Sequence, residues 1–146
     1  MEQLNELAYA LKIGDQKKAL SILRSAVNNG AFKNEWTRIA WEGWLKALES
    51  NSKDSLIFQL MDDIPPETIK KYIKNFRNYM KAIPKRDPEK KDFAKYFIGS
   101  WIDILKTFET INLSSEDRAE RSENLKKIQI EKTESGELSG KESSEY

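Results

Sequence analysis

The apolar residues of this chain recur every three or four positions from Leu4 to Phe108, and this spacing constrains its fold more than any other feature. The interval matches the 3.6 residues of a helical turn, so each such run indicates a helix with one buried face. No segment alternates apolar and polar residues with the period of two that is typical of a half-buried strand. The sequence therefore predicts an all-α protein.

About six helices are expected, because residues that begin or end helices separate the apolar runs. Gly14 and Gly30 follow the first two, which cover about residues 2–12 and 16–28. The other four have apolar faces at 36–48, 56–61, 69–83 and 93–108, and they begin at Asn34, Ser52, Pro65–Pro66 and Asp87–Pro88. Short connections predict three antiparallel hairpins, packed as a helical bundle or as a short α-solenoid-like array.

The 146 residues suffice for one core, and the charge divides them into two parts. Residues 1–113 form the predicted helical domain. Residues 114–146 hold nine acidic and six basic groups, a net charge of −3 that leaves +4 on the domain. The end of this tail is rich in Ser, Glu, Gly and Lys, which predicts disorder because it buries too little apolar surface. Residues 115–130 carry a weak apolar stripe that allows a helix.

Several function classes are disfavoured by missing residue types. The chain has no cysteine and no histidine, and no glycine loop or acidic cluster has the spacing of a phosphate or metal site. We therefore expect no catalytic residues, no metal, no cofactor, no small-molecule substrate and no enzyme activity. No apolar run reaches the ~18 to 20 residues of a membrane span, and the first residues lack a basic, then apolar, leader pattern. These features predict a cytoplasmic protein without membrane contact.

The segment GDQKKALSILRSAV, Gly14 to Val27, resembles the second helix of a tetratricopeptide-type repeat. It has the Gly-Asp turn, the small residues and the apolar Leu23 at that family's spacing. NSKDSLIFQL, which begins about 37 residues later, matches less well, and Leu7 and Ala10 depart from the family pattern in the preceding helix. The resemblance implies a helical repeat that binds other macromolecules.

The segment from position 70 to position 95 carries a strong positive bias. On a helix, Lys70, Lys74, Arg77 and Lys81 lie within about 60° of one another and about 130° from the apolar face. Ten cations against three acids between positions 70 and 95 give this segment a charge of +7. Such clustering suits phosphate binding, since each neutralised phosphate releases counterions. The predicted nucleic-acid-binding residues are Lys70, Lys71, Lys74, Arg77, Lys81, Lys85, Arg86, Lys90, Lys91 and Lys95. A face kept charged for solubility would show the same pattern.

Three tryptophans in nine residues suggest a second kind of surface. Trp41 lies about 140° from Trp36 on a helix, so the two rings cannot both enter one core from the same side. With Arg38 in the preceding turn, Trp41 is the candidate anchor of a protein interface, since Trp and Arg dominate such contacts. The alternative is a central helix that is buried on two sides.

Two functions remain open from the sequence. The first is a non-catalytic interaction subunit that binds nucleic acid or a nucleoprotein complex through the basic hairpin. The second is a protein adaptor that uses a groove of the tetratricopeptide kind or an exposed Trp41, without nucleic acid. An open basic surface with a buried Trp41 favours the first, whereas an exposed Trp41 beside a groove favours the second.

Overall fold

The computed structural model describes residues 2–30, 32, 34–62, 64–84 and 86–127, and these residues form helices and no strand. The helices are α1 (Glu2–Lys12), α2 (Gln16–Asn29), α3 (Glu35–Glu49), α4 (Leu56–Met61) and α5 (Pro66–Ala82). α6 (Pro88–Asp92) continues through a π-helical segment (Phe93–Ile98) into α7 (Gly99–Thr110), and α8 covers residues 115–127. The predicted all-α class is confirmed. Lys85 and the part of the tail after residue 127 lie outside the described residues.

The helix starts follow from the chemistry of the capping residues. Asp15, Asn34 and Asp87 each accept a hydrogen bond from a backbone N–H of the first turn, as their positions in the sequence predicted. The fourth helix differs, because its cap is Ser55 and not Ser52. The Ser55 hydroxyl and backbone N–H both donate to the Ser52 carbonyl, at 2.6 and 3.0 Å, so residues 52–55 form a turn before α4 begins.

The last long helix contains an interruption that the apolar spacing did not predict. Residues Phe93–Ile98 form a π-helical turn, so the run from Pro88 to Thr110 is not one regular α-helix. The rings of Phe93 and Phe97 stack here with centroids 4.9 Å apart, and the rings of Phe93 and Trp36 of α3 are nearly perpendicular, with centroids 5.0 Å apart. Single π-turns inside α-helices frequently occur at functional sites.

The first four helices pack in chain order, α1 with α2, α2 with α3 and α3 with α4, and α5 packs with α7. α1 also packs on α7, which joins the beginning of the chain to a late helix. In a solenoid each repeat contacts only its neighbours along the chain. The contact of α1 with α7 therefore identifies a closed bundle, one of the two arrangements that the sequence allowed.

The core lies between α1, α2, α3, α4 and α7, whose apolar faces supply most of its fully buried side chains. Trp44 at its centre is 2% exposed and contacts Trp41 and Trp101, with ring centroids 5.2 and 5.3 Å away. Trp101 also stacks on Phe76 of α5 at 6.1 Å. These ring contacts attach α5 to the rest of the bundle. Among the described residues no helix has the length and apolarity needed to cross a bilayer.

Residues 115–127 form a helix that packs on the end of α1. Ser114 caps its start in a reciprocal arrangement with Asp117, in which each side chain accepts from the other residue's backbone N–H at 3.0 Å. The Tyr9 hydroxyl donates to the Asp117 carboxylate at 2.5 Å, and Asn124 donates to the Ile13 carbonyl at 2.7 Å. The start of the charged tail is thus held against the bundle by specific hydrogen bonds.

Candidate nucleic-acid interface

The basic residues of α5 lie on the face of that helix that points away from the core. Lys70, Lys74, Arg77 and Lys81 are all exposed, whereas Ile69 and Ile73 are buried. None of the four cations forms an ion pair with another residue of the described chain. They keep their full charge toward solvent, which is what an electrostatic contact with phosphate requires.

The packing of α5 on α7 turns this face into one wall of a groove. The α5–α7 groove has a volume of about 400 Å³ and is lined by all four α5 cations, together with Ile73 and Asn78. α7 forms the other wall with Lys106 and Glu109. Five cations and one carboxylate therefore line a single depression. Its length from Lys70 to Lys81 is ~16 Å at 1.5 Å per residue.

The other predicted cations are exposed but lie outside this groove. Lys71, Arg86, Lys90 and Lys91 reach solvent on α5, in the turn after it and on α6. Asp87, one of the acids between them, has an oxygen occupied by the backbone N–H of Lys90 at 3.2 Å. Arg86, Lys90 and Lys91 widen the positive surface at the hairpin turn, and Lys71 adds to it near the start of α5. None of the four lines the α5–α7 groove.

Lys95, also exposed, lines a second and smaller cavity. This α3–α7 cleft has a volume of about 140 Å³ and lies among α1, α3, the π-helical turn and the start of α7. Its lining side chains are Leu4, Thr37, Trp41, Lys95, Tyr96, Ser100 and Asp103. The Lys95 ammonium lies 5.2 Å from the centroid of the Tyr96 ring, and Ser100 donates to the Tyr96 carbonyl at 2.5 Å. The π-helical turn thus places a cation and an aromatic ring at the cleft.

The single carboxylate of the α3–α7 cleft is Asp103. Partial burial raises the pKa of Asp103, and the opposing charge of Lys106 on the next turn lowers it by less. The side chain still reaches solvent. Asp103 is therefore a partly dehydrated hydrogen-bond acceptor at the edge of a small cavity.

Trp41, the candidate anchor of a protein interface, is buried in this structure. Trp41 is 7% exposed and packs on Phe32 and Trp44, with ring centroids 5.6 and 5.2 Å away. α3 is buried on two sides because α2, α4 and the π-helical segment all pack against it, which is the alternative that the sequence left open. Arg38 is exposed, and its guanidinium pairs with Glu35 at 3.4 Å and Glu42 at 3.3 Å on its own helix.

Comparison with known proteins gave no match for this chain. No protein-family model matches it, and no curated protein or solved structure is significantly similar. The resemblance of Gly14–Val27 to a tetratricopeptide-type repeat therefore remains a local similarity of sequence. The geometry of the two cavities is the basis for any functional proposal.

Sequence reasoning missed Lys106, Glu109 and Asp103, which the bundle adds to the two cavities. In the sequence these three residues are distinguished only by their positions outside the apolar face of α7. That placement shows that they reach solvent and does not show which helix lies beside them. The packing of α5 and α3 against α7 was needed to find them.

Proposed function

We propose that this protein is a non-catalytic interaction subunit that binds nucleic acid, free or in a nucleoprotein complex, by its phosphate backbone. One observation carries the proposal: Lys70, Lys74, Arg77, Lys81 and Lys106 line one open groove, and the four on α5 have no ion-pair partner among the described residues. Clustered cations bind phosphates mainly through the release of counterions, independently of the near-zero net charge of the whole chain.

The length of the α5–α7 groove suits the phosphate backbone of one nucleic-acid strand. Along its ~16 Å a strand of B-form spacing, about 3.4 Å per phosphate, presents four or five phosphates. The four α5 cations are three or four residues apart, which places successive charges ~4.5 to 6 Å apart along the helix. Phosphate contacts of this kind position a strand without reading its bases.

The buried Trp41 removes the exposed anchor, which was one of the two surfaces open to the adaptor alternative. An acidic protein surface remains a different partner for the same cations. That outcome is distinguished by the test below, because a protein ligand does not reproduce the salt dependence of a strand with a known number of phosphates.

The test replaces Lys70, Lys74, Arg77 and Lys81 together with glutamine. We expect binding to single-stranded oligonucleotides to weaken at least about tenfold at ~50 mM salt, measured by fluorescence anisotropy. Each lost contact removes about 0.7 to 0.9 from the slope of log affinity against log salt, so the slope should flatten by roughly three. The fold should survive, since these side chains point away from the core.

A matched control removes the same charge elsewhere. Lys17, Lys46, Lys126 and Lys127 are exposed and line neither cavity, so their joint replacement with glutamine should leave most of the affinity and the slope. Equal losses in both variants would mean that only total charge matters. No binding by the native protein at ~50 mM salt, where electrostatic attraction is strong, would refute the proposed function.

A further inference from the structure

The α3–α7 cleft has the size of a single aromatic ring. Its volume of about 140 Å³ is close to that of an engineered apolar cavity, about 150 Å³, that holds benzene. A six-membered ring therefore fits this cleft. The lining combines the rings of Trp41 and Tyr96 with the polar side chains of Thr37, Lys95 and Asp103. Aromatic surface with a few polar groups is the usual composition of a site for a flat heterocycle.

The cleft is adjacent to the α5–α7 groove across one exposed face of α7. Asp103 lines the cleft, and Lys106, three residues later on the same helix, lines the groove. Side chains at this spacing are neighbours, with Cβ atoms about 5 to 6 Å apart. Lys95 supplies a cation at the cleft itself. A ligand that places phosphates in the groove can thus reach the cleft with a ring attached to the same backbone.

We propose that the α3–α7 cleft receives one unpaired pyrimidine base, with cytosine preferred, from a single strand whose phosphates lie in the α5–α7 groove. The inference rests on the proposed function and adds to it a strand type and a base preference. An unpaired base is required because a base within a duplex cannot leave the stack without losing its pairing and stacking.

The preference for cytosine follows from the chemistry of Asp103. Its carboxylate only accepts hydrogen bonds, and the exocyclic amino group of cytosine is a donor, which is the usual pairing of Asp with this base. Uracil and thymine present a carbonyl oxygen at the same position, so two acceptors would face each other.

The experiment compares oligonucleotides of deoxycytidine, deoxythymidine and deoxyadenosine, all of one length, at ~50 mM salt. We expect the cytosine strand to bind about fivefold more tightly than the thymine strand, and the adenine strand to bind no better than thymine. Asp103→Asn supplies an amide that donates as well as accepts, so it should abolish or reverse the cytosine preference. Asp54→Asn, an exposed change that lines neither cavity, should keep the preference.

A second measurement locates the base directly. Cytidine added at millimolar concentration should shift the amide NMR signals of Gly99 and Ser100 and the indole signal of Trp41, and should leave the signals of Lys74 and Arg77 in place. Tight binding of all strands with equal affinity, or cytidine shifts away from the cleft, would overturn this inference and leave the proposed function standing. Failure to bind any strand would remove both.

Discussion

Two lysines of this protein lie in different environments, one bonded to the end of a helix and one exposed to solvent. Comparing them distinguishes the residues that hold the fold together from those of the candidate interface. Lys12, at the end of α1, donates to the carbonyl oxygens of Phe108 at 2.8 Å and Ile111 at 2.6 Å, which lie at the end of α7. Lys74, in the α5–α7 groove, is exposed and has no ion-pair partner among the described residues. One lysine completes the scaffold, whereas the other is available to a ligand.

The neighbourhood of Lys12 shows what makes the difference. The last carbonyls of a helix lack partners within that helix, and α7 ends where the Lys12 ammonium reaches them. The carbonyl of Lys12 itself accepts from Arg121 of α8. Burial, with the nearby positive charge of Arg121, lowers the pKa of Lys12. A lysine stabilises the fold where backbone carbonyl oxygens lack hydrogen-bond partners. The exposed face of α5 offers no such oxygens, because its carbonyls accept hydrogen bonds within the helix.

The largest expected effect concerns the aromatic contacts beneath the groove. Trp101→Ala removes the ring that joins Phe76 of α5 to Trp44 in the core, so we expect the free energy of unfolding to fall by about 3 kcal/mol. Chemical denaturation monitored by far-UV circular dichroism measures this loss. Near-neutral stability would show that the groove wall is held by other contacts and would weaken the distinction between scaffold and interface.

The same substitution in the two environments tests the contrast directly. Lys12→Met leaves two helix-end carbonyls without their donor and should cost about 1 to 3 kcal/mol of stability. Lys74→Met changes an exposed side chain and should stay within about 0.5 kcal/mol of the native protein. Chemical denaturation measures both losses of stability, from the shifts in midpoint when the dependence of the unfolding free energy on denaturant is unchanged. Equal losses at the two positions would contradict the division into scaffold and interface.

The smallest effect is the pH dependence of the contact between α1 and α8. The hydrogen bond to Asp117 raises the pKa of Tyr9 to about 12, and the same bond holds the pKa of Asp117 below its usual range. The bond therefore stabilises the fold between the ordinary pKa values of the two groups, about 4 and about 10. Its contribution is lost as the pH falls below about 4 through the lowered pKa of Asp117, or rises from about 10 through that of Tyr9.

Tyr9→Phe isolates that contribution. The variant should be slightly less stable than the native protein at pH 7, and the difference should shrink below about pH 4, where the carboxylate is protonated. Thermal unfolding across this pH range measures the difference. A constant difference from pH 7 to the acid limit would mean that Tyr9 stabilises α8 through its ring and not through its hydroxyl.

Local chemistry made much of this molecule predictable. Asp15, Asn34 and Asp87 cap helices where the sequence placed them, since a cap needs only its own first turn. The exposure of Lys70, Lys74, Arg77 and Lys81 was also predicted correctly, because the apolar face of α5 fixes the direction of the opposite side. Errors arose where local signals compete, as at Ser52 and Ser55, which are both suitable caps within one turn.

The sequence by itself determined the helical class, most of the helix starts and the outward direction of the α5 cations, because these depend on residues within one or two turns. Only the tertiary structure decided that Trp41 is buried, that Lys106 joins the α5 cations, and that Asp103 lies beside Tyr96 and Trp41. These outcomes depend on which helices become neighbours. That choice is made by the packing of the whole core, in which residues far apart in the chain bury one another's surface.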